Sequence, residues 1–220
     1  MKKLNLFFGL LLCLLLSQDL LADPIGRRVD IGTLSAAQRS TLAAAMIAYI
    51  DKAIIDEHAC NTEFGNAPGA SGSIHGPEMF LNWHREYIAE MEEAIQATLL
   101  GMGLTVLPRW NPANGINDVL DFLVVDGDCS ISCGGGTCAA PIAANFPNGV
   151  NTAFPAVFDS PLTCGTWTDM EVFSDALNFN YHGVGHIAAG GVMSNFRSPS
   201  CPLFFLWHSM VDEVFWDYQM

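Results

Sequence analysis

The six histidines of this 220-residue chain fall into two groups of three. His182 and His186 are four residues apart in an uncharged, glycine-containing segment, so on a helix both rings would lie on one face. Such a pair is typical either of a packed helix face or of half of a metal site. Because three neutral imidazoles leave coordination positions open for a reactant, two triads predict reactive metal sites and not closed structural ones. In chain order the triads are His58, His75 and His84, followed by His182, His186 and His208.

Four predicted helices would position these histidines. The alanine-rich residues 34–55 and the apolar repeat of residues 77–100 each predict one helix. A third should carry the pair of histidines that are four residues apart, and a fourth should begin after Ser200 as N-cap, with Pro202 in its first turn. The expected fold is therefore mainly α, a four-helix bundle around the histidines with irregular, disulfide-pinned loops.

Residues 1–22 have the pattern of a secretory signal peptide. A basic start and an apolar run over residues 4–16 precede the small residue Ala22, after which cleavage is expected. An uncleaved membrane anchor is the alternative, but the run is shorter than the roughly 20 apolar residues that span a bilayer. We therefore expect one mature domain, residues 23–220, in a secreted or periplasmic protein without a stable membrane anchor.

The net charge and the number of cysteines indicate which partners the protein can bind and in which cellular compartment it folds. The formal net charge of −14 gives no electrostatic reason to bind nucleic acid. Removal of the leader leaves six cysteines, an even number that in an exported chain predicts disulfides, although a soft-metal site at the three closely spaced cysteines is the alternative. Most of these cysteines lie in residues 104–170, which are rich in proline, glycine and asparagine. They are Cys60, Cys129, Cys133, Cys138, Cys164 and Cys201.

Longer segments around the histidines follow one recognisable order. The first triad closes with FLNWHREY, and the H-x3-H pair is followed by AAGGVMSNFRSPSCPLFFLWHSMVDEVFW. LPRWNP, residues 107–112, looks like an LPYW-type segment with Arg109 at the usual tyrosine position. From about Arg27 to its end, the chain resembles the tyrosinase, catechol oxidase and haemocyanin family of type 3 copper proteins.

The resemblance implies a dicopper site and an oxidation that uses O2. The triad of His58, His75 and His84 would bind the first copper, and the later triad the second. The activity implied is oxidation of o-diphenols to o-quinones, with weak monophenol hydroxylation as a side reaction. Full tyrosinase activity and reversible O2 carriage of the haemocyanin type are the alternatives. A small phenol and O2 are the expected reaction partners. A copper chaperone is a further possible partner, and the sequence does not decide whether one is needed.

Three further side chains are candidates to support the copper ligands. Asp212, one turn after His208, would accept a hydrogen bond at the site, and Arg85 would be its partner; an ordinary ion pair is the alternative. Some members of the family join a cysteine to the second histidine through a thioether. A bond between Cys60 and His75 would be the equivalent here, but the H-A-C spacing fits neither usual arrangement, so a disulfide is the alternative.

Two departures from the tyrosinase pattern bear on the substrate. Many tyrosinases have an asparagine directly after the first histidine of the H-x3-H pair, and a glutamate about nine residues before that histidine, which together orient a water. Here Gly183 takes the place of the asparagine, Phe173 that of the glutamate, and Glu171 is out of register. Phe196, ten residues past His186, resembles the bulky gate of catechol oxidases. Both departures favour diphenols over monophenols.

Overall fold

The computed structural model describes residues 27–65, 73–110, 169–189 and 191–220. Within these ranges the chain is mainly helical and contains no strand, so the predicted fold class is confirmed. None of the described helices is long and apolar enough to cross a membrane. The helices are α1 (Ala36–Tyr49), α2 (Lys52–Gly65), α3 (Phe80–Ala94), α4 (Gln96–Gly101), α5 (Met170–Leu177), α6 (Gly183–Ala189) and α7 (Pro202–Gln219), and a turn of π-helix, Asn178–His182, joins α5 to α6.

The segment predicted as one helix over residues 34–55 forms two. Ser35 begins α1 through a capping box with Gln38. The helix ends at Tyr49, and the backbone of the following residue, Ile50, is extended. The carboxylate of Asp51 then accepts hydrogen bonds from two backbone amides in the first turn of α2, at 2.8 and 3.0 Å. Because of this break, α2, which carries the first histidine, is a separate helix and does not continue the axis of α1.

The other predicted helix boundaries shift by a few residues. The pattern over residues 77–100 divides at Ile95 into α3 and α4. Ser200 is not the N-cap of the last helix, because it lies in a short 3-10 turn, Ser198–Ser200. Cys201 is the N-cap instead, and Pro202 is the first helical residue.

Helix α7 forms the centre of the core and packs most extensively against α3. Phe80 and Phe205 are completely buried in this core, whereas Trp83 is only partly buried. Helix α6 approaches α7 at Gly185, where an added Cβ would lie 2.3 Å from the ring of Trp207. Only glycine allows this close approach, which brings the histidines of α6 next to α7.

A buried ion network fastens the start of the described chain to α3 and α7. The Arg28 guanidinium donates to Asp212 at 2.9 and 3.1 Å, and also to Glu92 and to the carbonyl of Leu107. Arg85 donates to the other oxygen of Asp212. Burial lowers the pKa of Arg28, but the carboxylates of Glu92 and Asp212 outweigh that effect and raise it above its usual value. The guanidinium therefore stays charged and couples the two helices.

Several sequence predictions lie outside what the structure describes and stay predictions. They concern the signal peptide of residues 1–22 and the cysteine-pinned loops of residues 111–168. Cys201 is completely buried at the start of α7. The predicted disulfides and the thioether depend mostly on the side chains of Cys60, Cys129, Cys133, Cys138 and Cys164.

Candidate metal centre

All six histidines meet in the interior between α2, α3, α6 and α7. Each forms part of one of the two predicted triads, and within a triad one ligand nitrogen of every ring lies within 4.8 Å of the others. The residues come from distant parts of the chain, so the fold and not local sequence assembles the cluster. His58 lies on α2, His75 in the turn before α3, His84 on α3, His182 at the end of the π-helical turn, His186 on α6 and His208 on α7.

The second triad has the geometry of three nitrogens around one ion. The Nε2 atom of His208 lies 3.2 Å from Nε2 of His182 and 3.3 Å from Nε2 of His186. Two nitrogens bound to one ion at about 2.0–2.1 Å with tetrahedral angles are separated by about 3.3 Å. The protons of His182 and His186 are held on Nδ1, because those atoms contact the acceptors Asn178 Oδ1 and the Met193 carbonyl. Their Nε2 lone pairs therefore converge, an arrangement that a cation would stabilise.

The first triad is arranged in a similar way around His84. Its ring centroid lies 5.0 Å from that of His75 and 5.6 Å from that of His58. The Nδ1 atom of His84 contacts the carbonyl of Phe80 at 2.8 Å, which fixes its proton on Nδ1. Its Nε2 atom is buried without a hydrogen-bond partner. A buried imidazole nitrogen of this kind fits a metal ligand, since leaving it unbonded is unfavourable.

Burial keeps these imidazoles in the form that binds metals. It lowers the pKa of His58 to about 3 and the pKa values of His75 and His186 to about 4. Burial also holds the pKa values of His84, His182 and His208 well below their usual range, and the neighbouring histidines lower them further. The whole cluster is neutral at pH 7, as metal binding requires.

Backbone carbonyls orient three of the six rings, which the sequence did not predict. The Nδ1 atom of His58 contacts the Phe196 carbonyl at 2.8 Å, as His84 and His186 contact other carbonyls. Asp212 and Arg85 form an ion pair, and in the described part of the chain no imidazole contacts the Asp212 carboxylate. Asn178, four residues before His182, is the one side chain among these acceptors and was not singled out from the sequence.

A cavity of about 460 Å³ opens onto both triads. Four histidines and Gly183 line it, with Phe179, Ile187 and Phe196 as exposed apolar residues; none of the described lining residues is charged. Its volume is typical of a small-molecule site. Phe196, the predicted gate, is one of these lining residues, and 51% of its surface is exposed.

The positions that correspond to the family glutamate do not contribute to this cavity. Phe173 is completely buried in α5, and its ring stacks on that of Tyr218 with centroids 4.1 Å apart. Glu171 is exposed and is not among the described lining residues. The side of the cavity near Gly183 therefore has no carboxylate among the described residues.

Comparisons with known proteins agree with this geometry. The chain matches the family model for the common central domain of tyrosinase over residues 48–129 and 138–220, which include all six histidines. It is also similar to a tyrosinase from Streptomyces glaucescens, with 25% identity over 224 residues that cover 87% of this chain and 82% of that protein. The triads, their neutral buried rings and the matched segments lead to one conclusion. The chain belongs to the tyrosinase family.

Proposed function

We propose that this chain is a dicopper oxidase that uses O2 to oxidise o-diphenols to o-quinones. The observation that carries the proposal is the pair of complete, neutral histidine triads beside one cavity, which has no charged side chain among its described lining residues. The tyrosinase domain implies a dicopper centre, and the two triads could bind two metal ions. The relative from Streptomyces glaucescens supports copper oxidoreductase chemistry by its name.

The six histidines would hold the two ions. His58, His75 and His84 would bind the first copper, and His182, His186 and His208 the second. Imidazole suits copper, and a donor set without charge favours neither oxidation state strongly. Two copper ions held there would supply the redox chemistry, in which two catechols become two o-quinones while one O2 is reduced to two waters.

The protein side chains bind and orient the phenol. His58, His75, His182 and His186 line the cavity together with the exposed apolar residues Phe179, Ile187 and Phe196. An aromatic ring entering it would be desolvated by these apolar side chains, and the absence of charge among the described lining residues suits a neutral catechol. Phe196 lines the same cavity and is half exposed, so its ring would limit the width of a substituent that reaches the metals.

A preference for diphenols follows from the missing water-holding groups. Hydroxylation of a monophenol needs a base within hydrogen-bond reach of its hydroxyl, directly or through one water. Gly183 has no side chain that could hold this water, and Phe173 is buried away from the cavity. A catechol is oxidised without oxygen insertion and depends less on such a base. We therefore expect low turnover of tyramine beside ready turnover of dopamine.

The test combines metal analysis with an assay of quinone formation. Copper-loaded protein should contain two copper ions per chain and convert catechol to coloured quinone over many turnovers. The control is His84→Gln, which removes one ligand of the first copper and should abolish turnover. Binding of only one ion would contradict the dicopper proposal. Reversible oxygenation without turnover would favour an O2 carrier, and equal rates on tyramine and dopamine would favour a full tyrosinase.

Export belongs to the same proposal. The leader pattern of residues 1–22 supports a secreted or periplasmic mature chain, residues 23–220, that encounters phenols outside the cytoplasm. Amino-terminal sequencing of the exported protein should find Asp23 as the first residue. A product that retains the leader in the cytoplasm would overturn this part of the proposal.

A further inference from the structure

The side chain of Asn178 connects the two histidine triads. Its Nδ2 atom donates to the backbone carbonyl of His75 at 2.9 Å, and its Oδ1 atom lies 2.9 Å from Nδ1 of His182. Only 5% of Asn178 is exposed, so water does not compete for either contact. One buried amide therefore joins the turn that carries a first-triad histidine to a ring of the second triad.

The hydrogen-bond chemistry leaves one orientation for this amide. A carbonyl only accepts, so the NH2 group of Asn178 has to face the carbonyl of His75. The amide oxygen then faces His182, and because it too only accepts, the proton of that ring is held on Nδ1. The Nε2 lone pair of His182 is thereby directed at Nε2 of His208, 3.2 Å away.

The backbone around Asn178 is adapted to this contact. Residues Asn178–His182 form a π-helical turn in which the Gly183 amide donates to the Asn178 carbonyl, five residues back. A single π-helical turn between two α-helices is uncommon and occurs frequently at functional sites. Here it ends at the ligand histidine that Asn178 orients, so both ends of the turn belong to the site.

We propose that Asn178 is a positioning residue that fixes the two ion sites relative to one another. It sets the proton position of His182 and holds the His75 turn against the same amide, so its loss should weaken metal binding at both triads. This inference rests on the proposed function only in that the triads bind metal ions. Partners of ligand residues typically contribute a factor of 10–100 in metal affinity.

Cobalt(II) titration of the metal-free protein tests the inference without an activity measurement. The absorption of bound cobalt reports the number of ions per chain and their affinity. In Asn178→Leu, which has a similar volume but no polar atoms, both affinities should fall by about 10–100-fold. The matched control is Asn180→Leu, which changes an exposed asparagine on the same π-helical turn and should bind cobalt as the unaltered protein does.

A second variant separates the two arms of the amide. Asn178→Asp keeps an oxygen that can accept from His182 but loses the NH2 donor to the carbonyl of His75. We expect it to retain the affinity of one cobalt site and to lose affinity at the other. This variant also serves if Asn178→Leu does not fold, as judged by circular dichroism.

The outcomes distinguish the inference from the proposed function. If the unaltered protein binds fewer than two cobalt ions, the dicopper proposal fails. If it binds two and the Asn178 variants bind both with unchanged affinity, the positioning role of Asn178 is wrong. Equal losses in the Asn178→Leu and Asn180→Leu proteins would also overturn it, because the effect would then come from the turn and not from the buried amide.

Discussion

The rings of His84 and His208 stack face to face, with centroids 4.3 Å apart and planes only 5° from parallel. Each belongs to a different triad, and each comes from one of the two helices that pack most extensively together, α3 and α7. Two imidazolium ions at this separation would repel strongly in a buried site. After burial itself, the neighbouring His84 is the largest cause that lowers the pKa of His208. The metal-free cluster is thus held uncharged.

The free energy of unfolding of the metal-free protein should fall as the pH is lowered from 7 to 5. Histidines of the unfolded chain take up protons near pH 6.5, whereas the pKa of His58 is about 3 and those of His75 and His186 are about 4 in the folded protein. The unfolded state therefore binds more protons, so the stability is complete above about pH 6.5 and is lost below it. Each such histidine contributes about 1.4 kcal/mol per pH unit. Urea unfolding at several pH values measures the slope.

The control for this pH dependence is His75→Gln. It removes one titrating group and should reduce the slope by about 1.4 kcal/mol per pH unit, while the carboxylates stay the same. A stability that does not change between pH 7 and 5 would contradict the argument.

Gly183→Asn should raise the ratio of monophenol to diphenol turnover. An amide at this position borders the cavity and could hold the water that takes the phenol proton. We expect an increase of about tenfold or more, because a positioned base contributes on the order of 10²–10⁴. An added Cβ would lie 3.2 Å from the Asn178 carbonyl, which is a tight contact. Gly183→Ala, the control, introduces that contact without the amide and should leave the ratio unchanged; an equal rise in both variants would refute the water argument.

Phe196→Ala should lower the KM for a wide diphenol such as 4-tert-butylcatechol and change that for catechol much less. The ring borders the cavity, so its removal widens the mouth. The contact to His58 comes from the backbone carbonyl of Phe196 and survives the truncation. Steady-state kinetics on both substrates measure the difference, with Phe179→Ala as a second apolar truncation at the same cavity. If the KM values of the two substrates shift equally, Phe196 is no gate.

Arg28→Leu should destabilise the protein by about 3–5 kcal/mol. The substitution would leave the buried carboxylates of Glu92 and Asp212 without their shared guanidinium, and an uncompensated buried charge is costly. Arg27→Leu is the control. The Arg27 side chain is 67% exposed and lies 3.4 Å from Asp217, so its loss should cost at most about 1 kcal/mol. Urea unfolding at pH 7 compares the two, and similar losses would show that the network adds nothing beyond a surface pair.

Helices α3 and α7, which carry His84 and His208, could be predicted because their apolar residues recur at helical spacing, whereas the helix predicted over residues 34–55 stopped short of His58. The breaks after Ile50 and at Ile95 could not, since the apolar pattern continues through both. At the first break a new helix begins because the carboxylate of Asp51 accepts hydrogen bonds from two amides of its first turn. A single capping side chain of this kind contributes about 1 kcal/mol, which is enough to divide a helix but too little to stand out in a periodic sequence.

The triads could be predicted from residue type alone, because only histidine offers a neutral nitrogen ligand. The groups that orient the rings could not. Three of them are the backbone carbonyls of Phe80, Met193 and Phe196. Every residue type has a backbone carbonyl, so the sequence does not indicate which ones orient a ring. Asn178 was detectable in principle, four residues before His182, but an asparagine at that spacing has many ordinary uses.

The contact between Arg28 and Asp212 also constrains the order in which the molecule forms. The two residues are 184 positions apart in the chain, so this contact closes one of the longest loops that the chain can form. Loop closure of this length is entropically unfavourable and is repaid only when the remaining contacts are made. The network therefore closes only after α7 has been synthesised and docked. Because the same helix carries His208, neither a complete second triad nor the stacked pair exists before that step, and binding of the second ion is confined to the end of folding.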